Sequence, residues 1–219
     1  VRSQIVDYLN EGENNLVYLT LNYLANPLKH WYTRLTAGYL EEMFAGFGGE
    51  VLYRGLKSRW AAGLEVHQVY QREFRQRLGL QKARGLEYDT VTGHFTVYYQ
   101  SPYRNLNASF SLGRYLAQDI GSTFQISRMF ESGVQMGGWV TLTDLSAEQF
   151  GEGSFDKGIF ITIPLDLFFP TSMRQAGAFA FRPLTRDGGQ IVNVNRRLYG
   201  VTGQGDLGQI SRDWHKMLD

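Results

Sequence analysis

A long-range alternation of apolar and polar residues is the feature that most constrains how this chain folds. In the segment GVQMGGWVTLTDL (133–145), one set of alternate positions is apolar and the other is mostly polar. The apolar set is Val134, Met136, Val140 and Leu142, and the other set is Gln135, Trp139, Thr141 and Thr143. Successive side chains of a β-strand point to opposite faces, so this pattern predicts a strand with one apolar and one polar face.

The same period recurs along most of the chain. It is clear in segments 16–24, 30–39, 60–70, 93–100, 106–116, 122–130 and 157–165, and weaker in 50–54, 176–182 and 189–195. Short turn sequences such as NPL, SPYRN and ESG separate these segments, and strands joined by such short links pair antiparallel. The sequence therefore predicts an all-β, antiparallel, up-and-down arrangement of about 11 strands, and closure suggests about 12. Longer links are expected at 41–49, 71–87 and 146–156.

The remaining segments complete the expected organisation. Residues 1–12, or part of a longer parent chain, are expected to supply a partner for the first strand. Segment 73–84 fits a helix or a charged loop, and 210–219 fits a short amphipathic helix. No initiator Met or signal peptide begins the chain, which indicates a mature product or a piece of a longer protein. We treat residues 1–219 as one domain.

The apolar strand faces contact either a protein core or a bilayer. Strands of about 9–12 residues match the length that a tilted membrane strand needs. The polar faces are rich in Ser, Thr, Asn, Gln and Tyr, as a hydrated lumen would be, and aromatic residues cluster near strand ends. Arg114 and Arg128 fall on apolar faces, but near strand ends where they reach lipid headgroups. These features predict a transmembrane β-barrel, because no segment is apolar enough for a membrane-spanning helix.

Charge and cysteine content exclude several other classes. The chain carries 22 basic and 21 acidic residues and no cysteine, so disulfides and thiolate metal sites are excluded. Balanced charge gives no attraction to nucleic acid. In a barrel, the turns NPL, GLKS, SPYRN and ESG would be periplasmic. The links 41–49, 71–87, 118–120, 146–156 and 184–188 would then lie outside.

Few residue combinations point to chemistry. Glu152 and Asp156 lie in the Gly-rich segment FGEGSFDKG (150–158) and could act as acid and base on a sugar, but an ordered, solvated loop is the favoured interpretation. His67 and His94, on strands expected to be neighbours, could bind metal or form a base oriented by Glu65. A hydrogen-bonded network in the lumen is favoured for them. We predict no catalytic residues, metal or cofactor.

The polar faces supply the candidate substrate contacts. Seven side chains are predicted to contact sugar in the lumen: Arg34, Glu65, His67, His94, Tyr98, Gln125 and Trp139. Aromatic rings stack against the apolar faces of sugars, although the same rings could simply fill a narrow barrel. The loop that carries Glu152 and Asp156 is expected to be an outside cap or a docking site for partners.

Several segments carry a family resemblance. Residues 111–170, which contain FGEGSFDKG, together with RPLTRDGGQ (182–190) and RRLYG (196–200), resemble the C-terminal part of the YjbH-like family. Segments 36–54 and 88–99 match the same pattern. These are outer-membrane proteins of exopolysaccharide and group 4 capsule operons in Gram-negative bacteria. The resemblance implies an outer-membrane β-barrel within a longer chain, involved in polysaccharide production or export.

We therefore expect a passive barrel that assists export or surface assembly of exopolysaccharide or capsule. Its expected partners are outer-membrane lipids, polysaccharide, other export proteins and the remainder of the parent chain. Three alternatives stay open: an outer-membrane enzyme acting on polysaccharide or lipid, a plugged scaffold for a secretion complex, and a soluble sandwich or calyx.

Overall fold

Ten strands and two short helices make up the described part of the chain. The computed structural model describes residues 4–12, 15–81, 87–146, 155–165, 168, 176–183 and 187–203. The helices are α1 (Ile5–Glu11) and α2 (Leu198–Gly203). The strands are β1 (Leu19–Leu28), β2 (Trp31–Tyr39), β3 (Phe44–Arg54), β4 (Trp60–Gln71), β5 (Asp89–Gln100), β6 (Leu106–Arg114), β7 (Ile120–Met129), β8 (Gln135–Thr143), β9 (Asp156–Pro164) and β10 (Ala176–Phe181).

The strands form one sheet in which every strand pairs with its neighbour in sequence. The order runs from β1 to β10 without a crossover, and each pair is antiparallel. The prediction of an antiparallel, up-and-down β-structure is therefore confirmed. The described residues form 10 strands rather than about 12, and β1 and β10 each have one strand neighbour, so the sheet is open. We call the side where β1, β3, β5 and β7 end the turn edge, and the opposite side the loop edge.

Two predicted segments differ from the structure. Residues 41–49 were expected to form a link, but β3 begins at Phe44. The strand was missed because the glycines at 46, 48 and 49 interrupt the apolar pattern without interrupting the strand. A side chain at Gly48 would meet His67, since a Cβ there would lie 2.3 Å from the ring carbon Cδ2. Segment 189–195 was expected to be a strand, but it forms no ladder with the sheet and lies on its polar face.

The ends of the expected organisation also change. Residues 5–11 form helix α1 instead of a strand that pairs with β1. Segment 73–84 was expected to be either a helix or a charged loop, and its described residues 73–81 form turns, with an isolated bridge that joins Arg72 to Leu80. The helix expected at 210–219 lies outside the described residues. None of the described helices has the length and hydropathy needed to cross a bilayer.

The two faces of the sheet have the opposite burial from that of a water-soluble sheet protein. The apolar face is exposed: Phe124 keeps 44% of its surface accessible, and Leu35 keeps 62%. On the polar face Arg34 and His67 are each 1% exposed. We call one apolar residue from each strand the apolar belt: Leu21, Leu35, Phe47, Leu64, Phe95, Phe110, Phe124, Met136, Ile159 and Phe179.

The main hydrophobic cluster lies at the loop edge. Its buried members are Tyr8, Leu40, Met43, Phe44, Val69, Leu116, Val192 and Val194. Beside it, the fully buried Arg72 donates hydrogen bonds to backbone carbonyls of Glu41, Leu16 and Gln76, among others, at 2.7–2.9 Å. Burial lowers the pKa of Arg72, and these acceptors compensate its lost hydration. The contacts fix α1 and the turns after β4 over this edge.

Candidate functional site: a polar sheet face covered by a plug segment

A single segment crosses the polar face of the sheet from edge to edge. We call residues 187–203 the plug segment. At the loop edge, the Gly189 N–H donates to Asp119 Oδ2 at 2.8 Å, and the Leu116 N–H donates to the Gln190 carbonyl at 2.8 Å. Gly189 has a φ of +67°, which glycine adopts without strain. Further along the same edge, the Asn193 N–H donates to Glu41 Oε2 at 3.0 Å. The segment ends in α2 at the turn edge.

Buried charges hold the centre of the plug segment. Arg34 on β2 and Glu50 on β3 form an ion pair of 3.0 Å, with exposed fractions of 1% and 6%. Arg34 Nη1 also donates to the Asn195 carbonyl at 2.7 Å. Both carboxylate oxygens of Glu50 accept from the Leu198 N–H at 3.0 Å. The pair therefore also holds the plug backbone at the start of α2, through Arg34 Nη1 and both Glu50 carboxylate oxygens.

A second ion pair lies on the neighbouring strands. Arg197 Nε of the plug segment donates to Glu65 Oε2 at 3.0 Å, and His94 Nδ1 lies 3.7 Å from Glu65 Oε1. Their strands are neighbours, as predicted, and Glu65 and His94 are direct cross-strand partners. His94 also packs edge-on against Tyr115, with ring centroids 4.7 Å apart. Four of the seven predicted sugar contacts, Arg34, Glu65, His67 and His94, thus lie beneath or against the plug segment.

Asp156 lies apart from that group. It is the first residue of β9, 1% exposed, and its carboxylate accepts from Arg182 Nε at 2.7 Å and from Trp139 Nε1 at 2.9 Å. The predicted lumen residue Trp139 is therefore oriented by Asp156, and the three side chains connect β8, β9 and the residue after β10. Glu152 lies outside the described residues. No group of three or more His, Cys, Asp or Glu side chains within the described ranges is arranged to hold a metal ion.

A cavity of about 530 Å³ opens at the turn edge, between the end of the plug segment and β5–β8. Two predicted contacts, Tyr98 and Gln125, line it. Its other polar and aromatic lining residues are Arg54, Arg59, Gln100, Ser101, Asn105, Asn107, Ser109, Ser127, Gln135 and Tyr199. We call this space the turn-edge cavity. The rings of Tyr98 and Tyr199 stack at 3.7 Å with planes 7° apart, and the Arg54 guanidinium lies 4.6 Å from the Tyr199 ring centroid.

Sequence reasoning missed most of the cavity. Asn107, Ser127 and Gln135 occupy polar-face positions of their strands, so the alternation offered a signal for them. Tyr199 had no such signal, because the plug segment follows the last strand and contacts residues far away in sequence. The contact between Leu198 and Glu50 spans 148 residues.

Comparison with known proteins identifies the family. Residues 1–204 match the family described as "Exopolysaccharide biosynthesis protein YbjH". The chain belongs to the YjbH family. It is also 41% identical over 207 residues to a protein of Escherichia coli (strain K12) named "Uncharacterized lipoprotein YjbH". That match covers 92% of this chain and 29% of the relative, so the chain spans less than a third of the relative's length. No solved structure matches it.

The site of this YjbH-family chain has two chemically distinct parts. The centre carries charged side chains, and three of them, Arg34, Glu50 and Glu65, bond to the plug segment. The turn edge carries hydroxyls, amides, stacked tyrosines and arginines around an open volume. Such a surface can bind a polar ligand through hydrogen bonds and ring stacking. The family resemblance expected from the sequence is confirmed.

Proposed function

We propose that this chain forms the membrane-embedded sheet of an outer-membrane barrel that assists export or surface assembly of exopolysaccharide or capsule. The observation that carries the proposal is the reversed burial of the sheet, with an exposed apolar belt and a buried polar face. Membership of an exopolysaccharide biosynthesis family supports the biological process. The relative from Escherichia coli is named a lipoprotein, which supports an association with a membrane.

The solvent preference of the apolar belt favours hydrocarbon. Contiguous apolar patches on soluble monomers rarely exceed a few hundred Å², whereas this belt continues over all ten strands. Hydrocarbon around the belt would remove that exposed surface from water, which would stabilise the protein by about 25 cal/mol for each Å² of apolar surface. The charged residues Arg34, Glu50 and Glu65 all lie on the opposite face, where they avoid lipid.

Membrane insertion requires closure of the sheet, because unpaired strand edges are not tolerated in hydrocarbon. In an uninterrupted antiparallel order of ten strands, β1 and β10 run in opposite directions. They can therefore pair with each other directly, or through an even number of added strands. The longer relative offers residues from which such strands could come, since the chain spans 29% of it.

The plug segment favours a role other than that of an open channel. With residues 187–203 seated, the central polar face contacts protein rather than water or sugar. We propose that polysaccharide is engaged at the mouth of the barrel and that the protein performs no covalent chemistry. Its proposed partners are outer-membrane lipids, the polysaccharide, other export proteins and the remainder of the parent chain. The same plug makes a structural scaffold in a secretion complex the second candidate.

Site-directed spin labelling tests the membrane assignment. Single cysteines for labelling can be placed at Leu35, Phe95 and Phe124 in the full-length protein, after any reactive cysteine outside these 219 residues has been replaced. In phospholipid vesicles, labels at these positions should collide readily with oxygen and poorly with a water-soluble nickel complex. Thr92 on the polar face of β5 is the matched control for Phe95. Water contact, or tight immobilisation, at the belt positions would refute the proposal.

The export role requires a cellular measurement. Cells that lack the protein should show reduced surface exopolysaccharide, and the wild-type gene should restore it. Variants that release the plug segment should change surface polysaccharide if the barrel mouth engages the polymer. A pure scaffold would instead depend on the turns at its edge and would tolerate those variants.

A further inference from the structure

We propose that the turn-edge cavity binds a carboxylated segment of polysaccharide, with Tyr199 of the plug segment forming one wall of the site. The inference rests on the proposed function and names the ligand class of that same barrel mouth. The volume of the turn-edge cavity, about 530 Å³, falls within the range of small-molecule sites. The cavity lies at the edge of the sheet, so a polymer can enter it without displacing the plug segment.

The lining specifies the ligand by its polarity. Asn107, Gln125 and Gln135 present amides, and the neighbouring serines present hydroxyls, which together donate and accept hydrogen bonds. A sugar has the complementary set of hydroxyl and ring oxygens. The stacked pair Tyr98 and Tyr199 adds aromatic surface at one side of the cavity, which can contact the C–H groups of a sugar ring.

The charge of the lining selects an acidic sugar over a neutral one. Arg54 and Arg59 line the cavity, and the described lining contains no Asp or Glu. Arg54 is engaged with the plug segment, since its Nη1 donates to the Tyr199 carbonyl at 3.1 Å. Arg59 lies in the link after β3 and is exposed. A guanidinium group binds a carboxylate through paired charge-assisted hydrogen bonds, so Arg59 is the expected contact for the acid.

The plug segment makes ligand binding depend on its own position. Tyr199, Gly200 and Gly203 belong to α2 and also line the cavity, so the site is complete only while α2 is seated. A ligand that contacts both α2 and the strands stabilises the seated state, by linkage between binding and conformation. Gly200 is suited to testing this geometry, because a Cβ built there meets nothing within 4 Å.

Binding of defined trisaccharides to the full-length protein in detergent tests the inference. The probes are trigalacturonate and the neutral trisaccharide maltotriose. Titration calorimetry measures the affinity for each probe at low and at high salt. Trigalacturonate should bind more tightly than maltotriose, and its affinity should fall as salt increases. Arg59→Gln should weaken trigalacturonate binding about tenfold or more, because a charge-assisted contact is lost.

Two matched pairs of variants separate the cavity from its surroundings. Lys57→Gln removes a cation from the same link as Arg59 but lies outside the lining, so it should leave affinity unchanged. Gly200→Gln should place a bulky side chain in the cavity and weaken binding, whereas Gly200→Ala should preserve it. Both residues favour a helix more than glycine does, so α2 should persist.

Three outcomes would overturn the inference: no binding of trigalacturonate, equal affinity for both probes, or equal losses in Arg59→Gln and Lys57→Gln. The spin-label measurements remain independent of these results. Lipid contact at the apolar belt with no trisaccharide binding would reject the cavity assignment and leave the membrane assignment standing.

Discussion

Replacement of Phe124 by arginine provides a quantitative test of what surrounds the sheet. Phe124 lies near the middle of β7, on the apolar face, and is 44% exposed. Ile120, the first residue of the same strand, lies on the same face and is 61% exposed. The pair Phe124→Arg and Ile120→Arg therefore introduces the same charge at two depths along one strand.

The dimensions of β7 set the expected cost. Its 10 residues extend about 33 Å at roughly 3.3 Å per residue, and a tilt near 40° reduces that to the 25 Å height of an apolar barrel band. Phe124 would then lie close to the bilayer midplane and Ile120 at an interface. Arginine costs about 2–4 kcal/mol at the midplane and about 0–1 kcal/mol near an interface. The expected difference is about 2–3 kcal/mol, or roughly 30- to 150-fold in the unfolding constant.

The natural sequence already follows this depth dependence. Arg128 lies on the apolar face of β7 near its turn-edge end, with its guanidinium 4.9 Å from the ring centroid of Phe130. Arg114 is the last residue of β6, at the loop edge. Both positions would allow a long side chain to reach headgroups. In the middle of β6 and of β7, no charged residue lies on the apolar face.

Urea unfolding of the full-length protein in phospholipid vesicles measures the difference. The folded fraction can be followed by gel mobility of unheated samples, and the two variants are compared by their unfolding midpoints at equal slope. If water surrounds this face, both exposed substitutions should stay within about 0.5 kcal/mol of the wild type. Equal stabilities of Phe124→Arg and Ile120→Arg would refute the membrane assignment.

Two further variants test contacts on the polar face. Glu50→Gln should lower the free energy of unfolding by about 3–5 kcal/mol, because it leaves Arg34 buried without its counter-charge. Amide hydrogen exchange in residues 187–203 should accelerate in this variant, and Lys57→Gln is the control. Unchanged protection of the plug segment would contradict the assigned anchor. Asp156→Asn should weaken the contacts from Arg182 and Trp139 by about 1–2 kcal/mol, after allowance for the exposure of Arg182, and should change the near-ultraviolet circular dichroism of the tryptophan. An unchanged spectrum and stability would show that the Asp156 contacts contribute nothing measurable.

The strands were predictable because their signal is local. Side chains alternate with a period of two residues whatever lies on either face, so long segments such as β5 and β7 follow directly from the sequence. The same reasoning placed Glu65 and His94 on adjacent strands, and they are paired in register. It failed to recognise the first half of β3, where glycine replaces the residues that would have shown the alternation.

Segment 189–195 shows what alternation does not determine. Val192 and Val194 alternate with polar residues and are buried, 1% and 6% exposed, but in the hydrophobic cluster at the loop edge. An extended segment that crosses a surface also presents alternate side chains to two environments. Period two therefore identifies an extended backbone, and strand pairing needs additional information about a partner.

The structural role of the charged residues on the polar face is determined by their contacts with the plug segment. Arg34, Glu50 and Glu65 could serve equally as water-facing groups in an open lumen, so the sequence alone leaves their role undecided. Their partners are distant: Arg197 contacts Glu65 across 132 residues, a separation that no local pattern encodes. Once these pairs form, the charged centre of the sheet is occupied by protein, and an open cavity remains at the turn edge, lined by amides, hydroxyls, tyrosines, Arg54 and Arg59. Charge thus anchors the plug segment at the centre, while the turn-edge cavity keeps the polar, aromatic and arginine side chains to which we assign the proposed ligand.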